Sequence, residues 1–198
     1  FGRPSAIHAM GRAVAKIGEL RTPDKPKTTF TVGIVSGGTS INSIAGDAMF
    51  ELAMRSVGMA ELLALEAQAM KAIHAAVDEE NARWNHELKV SVKIDPVGSR
   101  PAGAQAEDAP IIQVAKLALG SVGVKPLLEA PASTDANLPI SLGIPAMTVG
   151  RGGKTGNNHA IDEWYDPTDA YLGVQKNLLT VLGLVGVDVE LAQALAQL

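Results

Sequence analysis

Residues 150–163 read Gly-Arg-Gly-Gly-Lys-Thr-Gly-Asn-Asn-His-Ala-Ile-Asp-Glu, and they carry the ligand-like cluster of this chain. They follow an apolar run, Ile144 to Val149, whose composition predicts a buried strand. A glycine-rich loop at the carboxyl end of a strand, closing on a histidine, is where α/β sheets present metal ligands and catalytic groups. Neutral imidazole is the commonest side-chain metal ligand, so His159 is the sharpest candidate. Gly152 and Gly153 let the backbone approach a ligand or substrate closely. Asp162 and Glu163 stand where a carboxylate can orient the ring from behind. The bland alternative is a loop histidine at a helix start, with Asp162 and Glu163 as first-turn acids favoured by the helix dipole. One histidine cannot hold a catalytic zinc, so the cluster reads as part of a site.

Two further groups have residue types suited to chemistry. Ser133-Thr134-Asp135-Ala136-Asn137 is a hydroxyl-rich helix start. It serves either to bind a substrate carboxylate through free N–H groups or as a plain helix cap. Asn42 sits in a loop where its amide can donate to a developing oxyanion, or where it simply makes a turn. Arg55 alternates onto the face opposite Phe50, Leu52 and Met54, so its fork is available to a carboxylate, or merely solvated. His8 and His74 lie beside apolar residues at helical positions and His86 lies in a turn, and all three read as structural.

The elements that must position these residues follow from periodicity. Ile7, Met10, Val14, Ile17 and Leu20 recur at helical spacing after Pro4. Residues 28–35 alternate, with Phe30, Val32 and Ile34 expected on one face, and 49–55 alternate again. A long helix is expected from Met59 to about Trp84, with Leu63, Met70, Ile73, Val77 and Trp84 on one stripe. Leu88, Val90, Val92 and Ile94 predict a last half-buried strand. The order α-β-β-α-β is a ferredoxin-like split βαβ unit without its first strand. Its three-stranded sheet would expose an edge or borrow a strand, which predicts dimerisation. The Pro-, Gly- and Ala-rich run 97–108 is the expected joint between two domains, 1–103 and 104–198. Beyond it an α/β pattern is expected: a helix over 111–122, a short strand near 127–128, a helical 133–142, the strand before Gly150, a helix over 167–184 and a helical tail over 189–198.

Composition narrows the function classes. A net charge of −4 leaves no basic stripe to neutralise phosphates, which argues against a nucleic-acid partner. No apolar stretch reaches the roughly 18 residues of a membrane span. The chain has no cysteine, so thiolate metal sites and disulfides are impossible. That composition fits a cytoplasmic location. The start at Phe1-Gly2-Arg3-Pro4 reads as the interior of a longer polypeptide.

Taken in order, 38–44 (Gly-Thr-Ser-Ile-Asn-Ser-Ile), 51–55 (Glu-Leu-Ala-Met-Arg), 133–137 and 152–163 resemble the co-catalytic two-zinc metallopeptidase family. That family includes peptidase T (tripeptidase), aminoacylase, acetylornithine deacetylase, succinyl-diaminopimelate desuccinylase and the glutamate carboxypeptidases. The resemblance extends to about Gly186. It implies an α/β fold: a ferredoxin-like lid without its first strand, over 1–103, and the C-terminal part of a catalytic domain, over 104–198. It implies that His159 is the last zinc ligand of a site holding two Zn2+ ions. It also implies that Asn42 and Arg55 reach substrate from the lid, while Thr134, Gly152 and Gly153 bind substrate near the metals. The implied substrates are small peptides or N-acyl amino acids, and the implied assembly is a homodimer through the lid.

Two departures accompany the resemblance. Ala53 stands where the family usually has Asp, and Ala45 where Pro is common. The family's His-x-Asp pair, bridging Asp, Glu-Glu pair and further acidic ligand would precede Phe1. With one ligand present, residues 1–198 alone are expected to be inactive and to bind zinc weakly or not at all. The alternative is a non-catalytic dimerisation or binding module derived from the lid.

Overall fold

The computed structural model describes residues 2–128 and 132–186. The helical tail expected over 189–198 lies outside them. The chain divides into two compact units, Phe1–Gly103 and Ala104–Leu198.

The first unit runs α1 (Ala6–Gly18), β1 (Thr28–Gly37), β2 (Ala48–Ser56) and α2 (Met59–Ala82). The strands pair antiparallel in a two-stranded sheet, with Phe30 opposite Met54 and Val32 opposite Leu52. Both helices pack together, and Ala13, Ile17, Ile73 and Ala76 form the core, against which Phe30, Val32, Phe50, Leu52 and Val92 close. Ile17 and Ile73 are almost fully buried, and each contributes about 2 kcal/mol of transfer free energy. Alanines at the helix contact allow that approach, so α1 buries Ala9, Ala13 and Ile17.

Three expectations for this unit need correction. The β1 alternation breaks at a bulge between Val32 and Ile34. One extra residue shifts the register, so Ile34 stands opposite Glu51 and Val35 opposite Phe50, and both are half exposed. The buried stripe of α2 is Leu65, Ala69, Ile73, Ala76 and Glu80, and Leu63 faces outward. Residues 88–94 keep their alternation, with Val90 and Val92 half-buried, yet they form no strand ladder. Their hydrogen bonds are made otherwise: the Asn81 side chain donates to the Val90 carbonyl at 2.8 Å and accepts from its N–H at 2.9 Å. A side-chain amide thus stands in for a neighbouring strand.

The packing of α1 on α2 carries one polar hub. Glu80 is fully buried and accepts from the Ser5 N–H at 3.1 Å, Arg12 Nε at 3.2 Å and Trp84 Nε1 at 3.1 Å, with His8 Nδ1 at 3.6 Å. Burial pushes its pKa up, but the bonds from Trp84, Ser5 and Arg12, with His8 beside them, outweigh that and hold it below the ordinary value.

The second unit runs α3 (Pro110–Ser121), α4 (Asn137–Ser141), β3 (Lys154–Gly156), β4 (Trp164–Asp166) and α5 (Ala170–Val185). Pro110 opens α3, where its missing N–H costs nothing. α3 packs on α5, with Val114 against Gly183. Asp166 caps the entry to α5, accepting from the Thr168 N–H at 2.9 Å and hydroxyl at 2.7 Å.

The runs 127–128 and 144–149 are not strands, and Ile144 and Val149 are exposed rather than buried. Fully apolar runs of this kind become strands when neighbours on both sides accept their backbone bonds. Among the described residues no such neighbour pairs with them. The 144–149 run is instead tied by the Ala146 N–H to Gln105 Oε1 at 3.2 Å. The helix expected over 133–142 is confined to Asn137–Ser141. The overall class nevertheless holds: mixed α/β, with small antiparallel sheets.

Candidate functional site

His159 rides on a hairpin. β3 and β4 pair antiparallel, with Lys154 opposite Asp166 and Gly156 opposite Trp164, and residues 157–163 make the loop between them. Two residues of that loop lie in the left-handed region, Asn157 at φ 55° and His159 at φ 67°. Asn and His visit this region more readily than most, and an L-residue held there commonly marks a functional constraint. Local bonds hold the turn. Asn157 Nδ2 donates to Asp162 Oδ2 at 2.7 Å, and the His159 N–H donates to Glu163 Oε2 at 3.2 Å. The two carboxylates therefore fix the loop's amide and backbone; among the described residues neither bonds the imidazole ring. His159 itself is exposed.

The base of the hairpin is set by close backbone approach. Gly152 (φ 86°) and Gly153 (φ 71°) take conformations that a side chain disfavours. A Cβ on Gly152 would lie 2.5 Å from the Ala170 carbonyl oxygen, so the loop and the first turn of α5 meet main chain to main chain. Gly173 completes that contact from the α5 side, against the Arg151 carbonyl. Tyr165 donates to the Gly152 carbonyl at 3.4 Å, and the Arg151 guanidinium stacks 4.7 Å from its ring.

Thr134 lies at the turn before α4. Its hydroxyl accepts from Thr148 Oγ1 at 2.7 Å and from the Ala136 N–H at 3.3 Å, while its N–H donates to Asn137 Oδ1 at 2.7 Å. The hydroxyl therefore ties the 144–149 run to the 133–137 turn.

Asn42 and Arg55 belong to the first unit. Asn42 is exposed in the loop joining β1 to β2, where its Oδ1 accepts from Ser40 Oγ at 3.0 Å, leaving the amide N–H groups pointing away from that bond. Arg55 is exposed on β2, opposite Thr29. The Phe50, Leu52 and Met54 face is half-buried, as its alternation requires, so Arg55 lies on the other face.

Among the described residues no three His, Asp or Glu side chains come together as a metal-binding group. His159 by itself does not satisfy the four-coordinate preference of zinc, so the described residues do not constitute a zinc site. Sequence reasoning missed Glu80 and Asn81. Glu80 was legible in principle: it lies at helical spacing with Ile73, Val77 and Trp84, the one acid on an apolar stripe.

Residues 2–85 match the family model of the peptidase dimerisation domain. This bears out the family resemblance carried by the motifs. The fold agrees with two solved peptidases. Aminopeptidase PepT from Bacillus cereus superposes with a TM-score of 0.69 at 20% identity, and a tripeptidase from Staphylococcus aureus with a TM-score of 0.70 at 18% identity. Each match covers 92% of this chain and 46% of the other, so this chain spans just under half the length of either peptidase. No curated protein matches the chain. No helix among the described residues is long and apolar enough to cross a membrane.

Proposed function

We propose that residues 1–103 are the lid and dimerisation domain, and 104–198 the C-terminal part of the catalytic domain, of a zinc-dependent peptidase. The observation that carries this reading is the dimerisation domain over residues 2–85, in a chain whose fold follows two peptidases over 92% of its length. Substrates on this reading are small peptides or N-acyl amino acids. Arg55 presents its guanidinium from the exposed face of β2 to a substrate carboxylate. Asn42 offers amide N–H groups to the carbonyl oxygen under attack. Thr134, Gly152 and Gly153 line the substrate from the catalytic part, and His159 supplies one imidazole to the metal centre, held at the hairpin tip by Glu163. Zinc, when bound by a complete ligand set, polarises the amide carbonyl and lowers the pKa of its water.

Residues 1–198 bring one such ligand, so on this reading they are inactive alone. The test is hydrolysis of a tripeptide by the purified 198-residue chain in the presence of zinc, alongside sequencing of the coding region upstream of the Phe1 codon. The reading expects no turnover, and a His-x-Asp and a Glu-Glu pair encoded upstream. Robust turnover, or an upstream reading frame without either motif, contradicts it. The second outcome favours the alternative, a non-catalytic dimerisation module, which the match over 2–85 also supports.

A further inference from the structure

The β1–β2 hairpin turns one face to the helices and the other to solvent. Thr28, Phe30 and Val32 of β1, with Leu52, Met54 and Ser56 of β2, are buried or half-buried on the inner face. Thr29, Thr31, Ala53 and Arg55 alternate onto the outer face, and all four are exposed. Arg55 stands opposite Thr29, and Ala53 opposite Thr31. One position beyond the ladder, the Val57 N–H donates to the Lys27 carbonyl at 3.2 Å. The pairing therefore continues, and exposed Lys27 falls in step with Thr29 on the outer face.

Lys27 and Arg55 are then diagonal neighbours on one sheet face, a spacing of about 7–8 Å. Among the described residues no carboxylate pairs with either cation. Ala53, the neighbour of Arg55 along this face of β2, is uncharged. Glu51 is four residues from Arg55, about 13 Å along the strand. Two like charges at diagonal spacing disfavour one another until an anion joins them. Thr29, next to Lys27 along the strand and across from Arg55, adds a hydroxyl donor.

We propose that Lys27, Thr29 and Arg55 form a subsite for a dicarboxylate: an acidic residue at the carboxyl end of a peptide or N-acyl amino acid. Arg55 is the carboxylate-binding residue of the peptidase reading, on which this subsite rests, and Lys27 is the residue that selects what lies beside that carboxylate. The Arg55 fork takes the terminal carboxylate side-on through two parallel N–H···O bonds. One carboxylate satisfies that fork and leaves Lys27 over. Lys27 carries a compact charge with three rotatable donors on a flexible stem, suited to a second carboxylate two or three carbons away. An aspartate or glutamate side chain supplies it. A neutral side chain leaves Lys27 unanswered, and a basic one meets it with like charge. The face is open to solvent, so the preference is the size of one exposed ion pair, about fivefold.

The test is a titration of the 198-residue chain with N-acetylglutamate and N-acetylglutamine at low ionic strength, followed by amide resonances. Resonances of 27–31 and 53–57 should shift with both, and N-acetylglutamate should bind about fivefold tighter. Lys27→Gln should abolish that preference while leaving the affinity for N-acetylglutamine unchanged. Arg55→Gln should weaken both ligands. Ala53→Asp, which sets a competing carboxylate beside Arg55, should weaken both as well. The three positions are exposed, so resonances away from this face report that each variant is folded. Equal binding of the two ligands, or a preference that survives Lys27→Gln, overturns the dicarboxylate subsite and leaves Arg55 its single carboxylate. Unmoved resonances at 27–31 and 53–57 with both ligands overturn the subsite and the role of Arg55 together.

Discussion

The residues that hold this molecule in shape and those offered for chemistry differ in how they are restrained. Glu80 is enclosed and answers four neighbours across the α1–α2 contact. Its replacement by alanine strands the Arg12 charge, the Trp84 indole N–H and the Ser5 N–H, and Glu80→Ala is expected to lower stability by about 3 kcal/mol. Urea unfolding of the two proteins checks this. The pH dependence has a definite sign. The folded carboxyl titrates below its unfolded value of about 4.3, so its contribution is complete above that pH and is lost as pH falls through the lowered folded value. The stability gap between the parent and Glu80→Ala should therefore shrink on acidification below about pH 4. His159 is the opposite case, exposed and in a left-handed turn that local bonds maintain. Its residue type and its glycine-rich neighbourhood were legible in the sequence. Its backbone geometry was not, because it depends on where the Asp162 and Glu163 carboxylates turn, and spacing alone pointed them at the ring.

At the scale of elements, amphipathic pattern was a good guide wherever an element completes its own hydrogen bonds. The long α2 and the α3 and α5 helices emerged from periodicity, because helical bonds are internal to the segment. Strands need partners, and the failures fall there. The runs 88–94, 127–128 and 144–149 have strand-like composition, but among the described residues none has a neighbour to close a ladder. The bulge at Gly33 was equally invisible, since one added residue reverses a face without altering composition. Glycines of α5 make a sharper prediction. Alanine in a helix interior is normally favoured over glycine by about 1 kcal/mol. At Gly173 a Cβ would instead collide with the Arg151 carbonyl, where rigid main chain faces rigid main chain. Overpacking should win, and Gly173→Ala is expected to be destabilising by about 2 kcal/mol net. Limited proteolysis should then find the 150–160 loop more readily cut. A variant as stable as the parent would show that α5 and the glycine loop are not in contact.

At the scale of the whole molecule, residues 2–85 match the peptidase dimerisation domain and a second compact unit begins at Ala104. The division falls inside the Pro-, Gly- and Ala-rich run 97–108, which forms no helix or strand. The two-stranded sheet has one edge on β1 and one on β2. The β1 edge carries half-exposed Ile34 and Val35, apolar surface that a solitary domain would leave in water. The central claim is that this domain makes the chain a homodimer, and sedimentation velocity tests it most directly. The account predicts a species of twice the chain mass, about 41 kDa from two chains of 20.5 kDa, at micromolar concentration. A single 20.5 kDa species persisting as concentration is raised would contradict it.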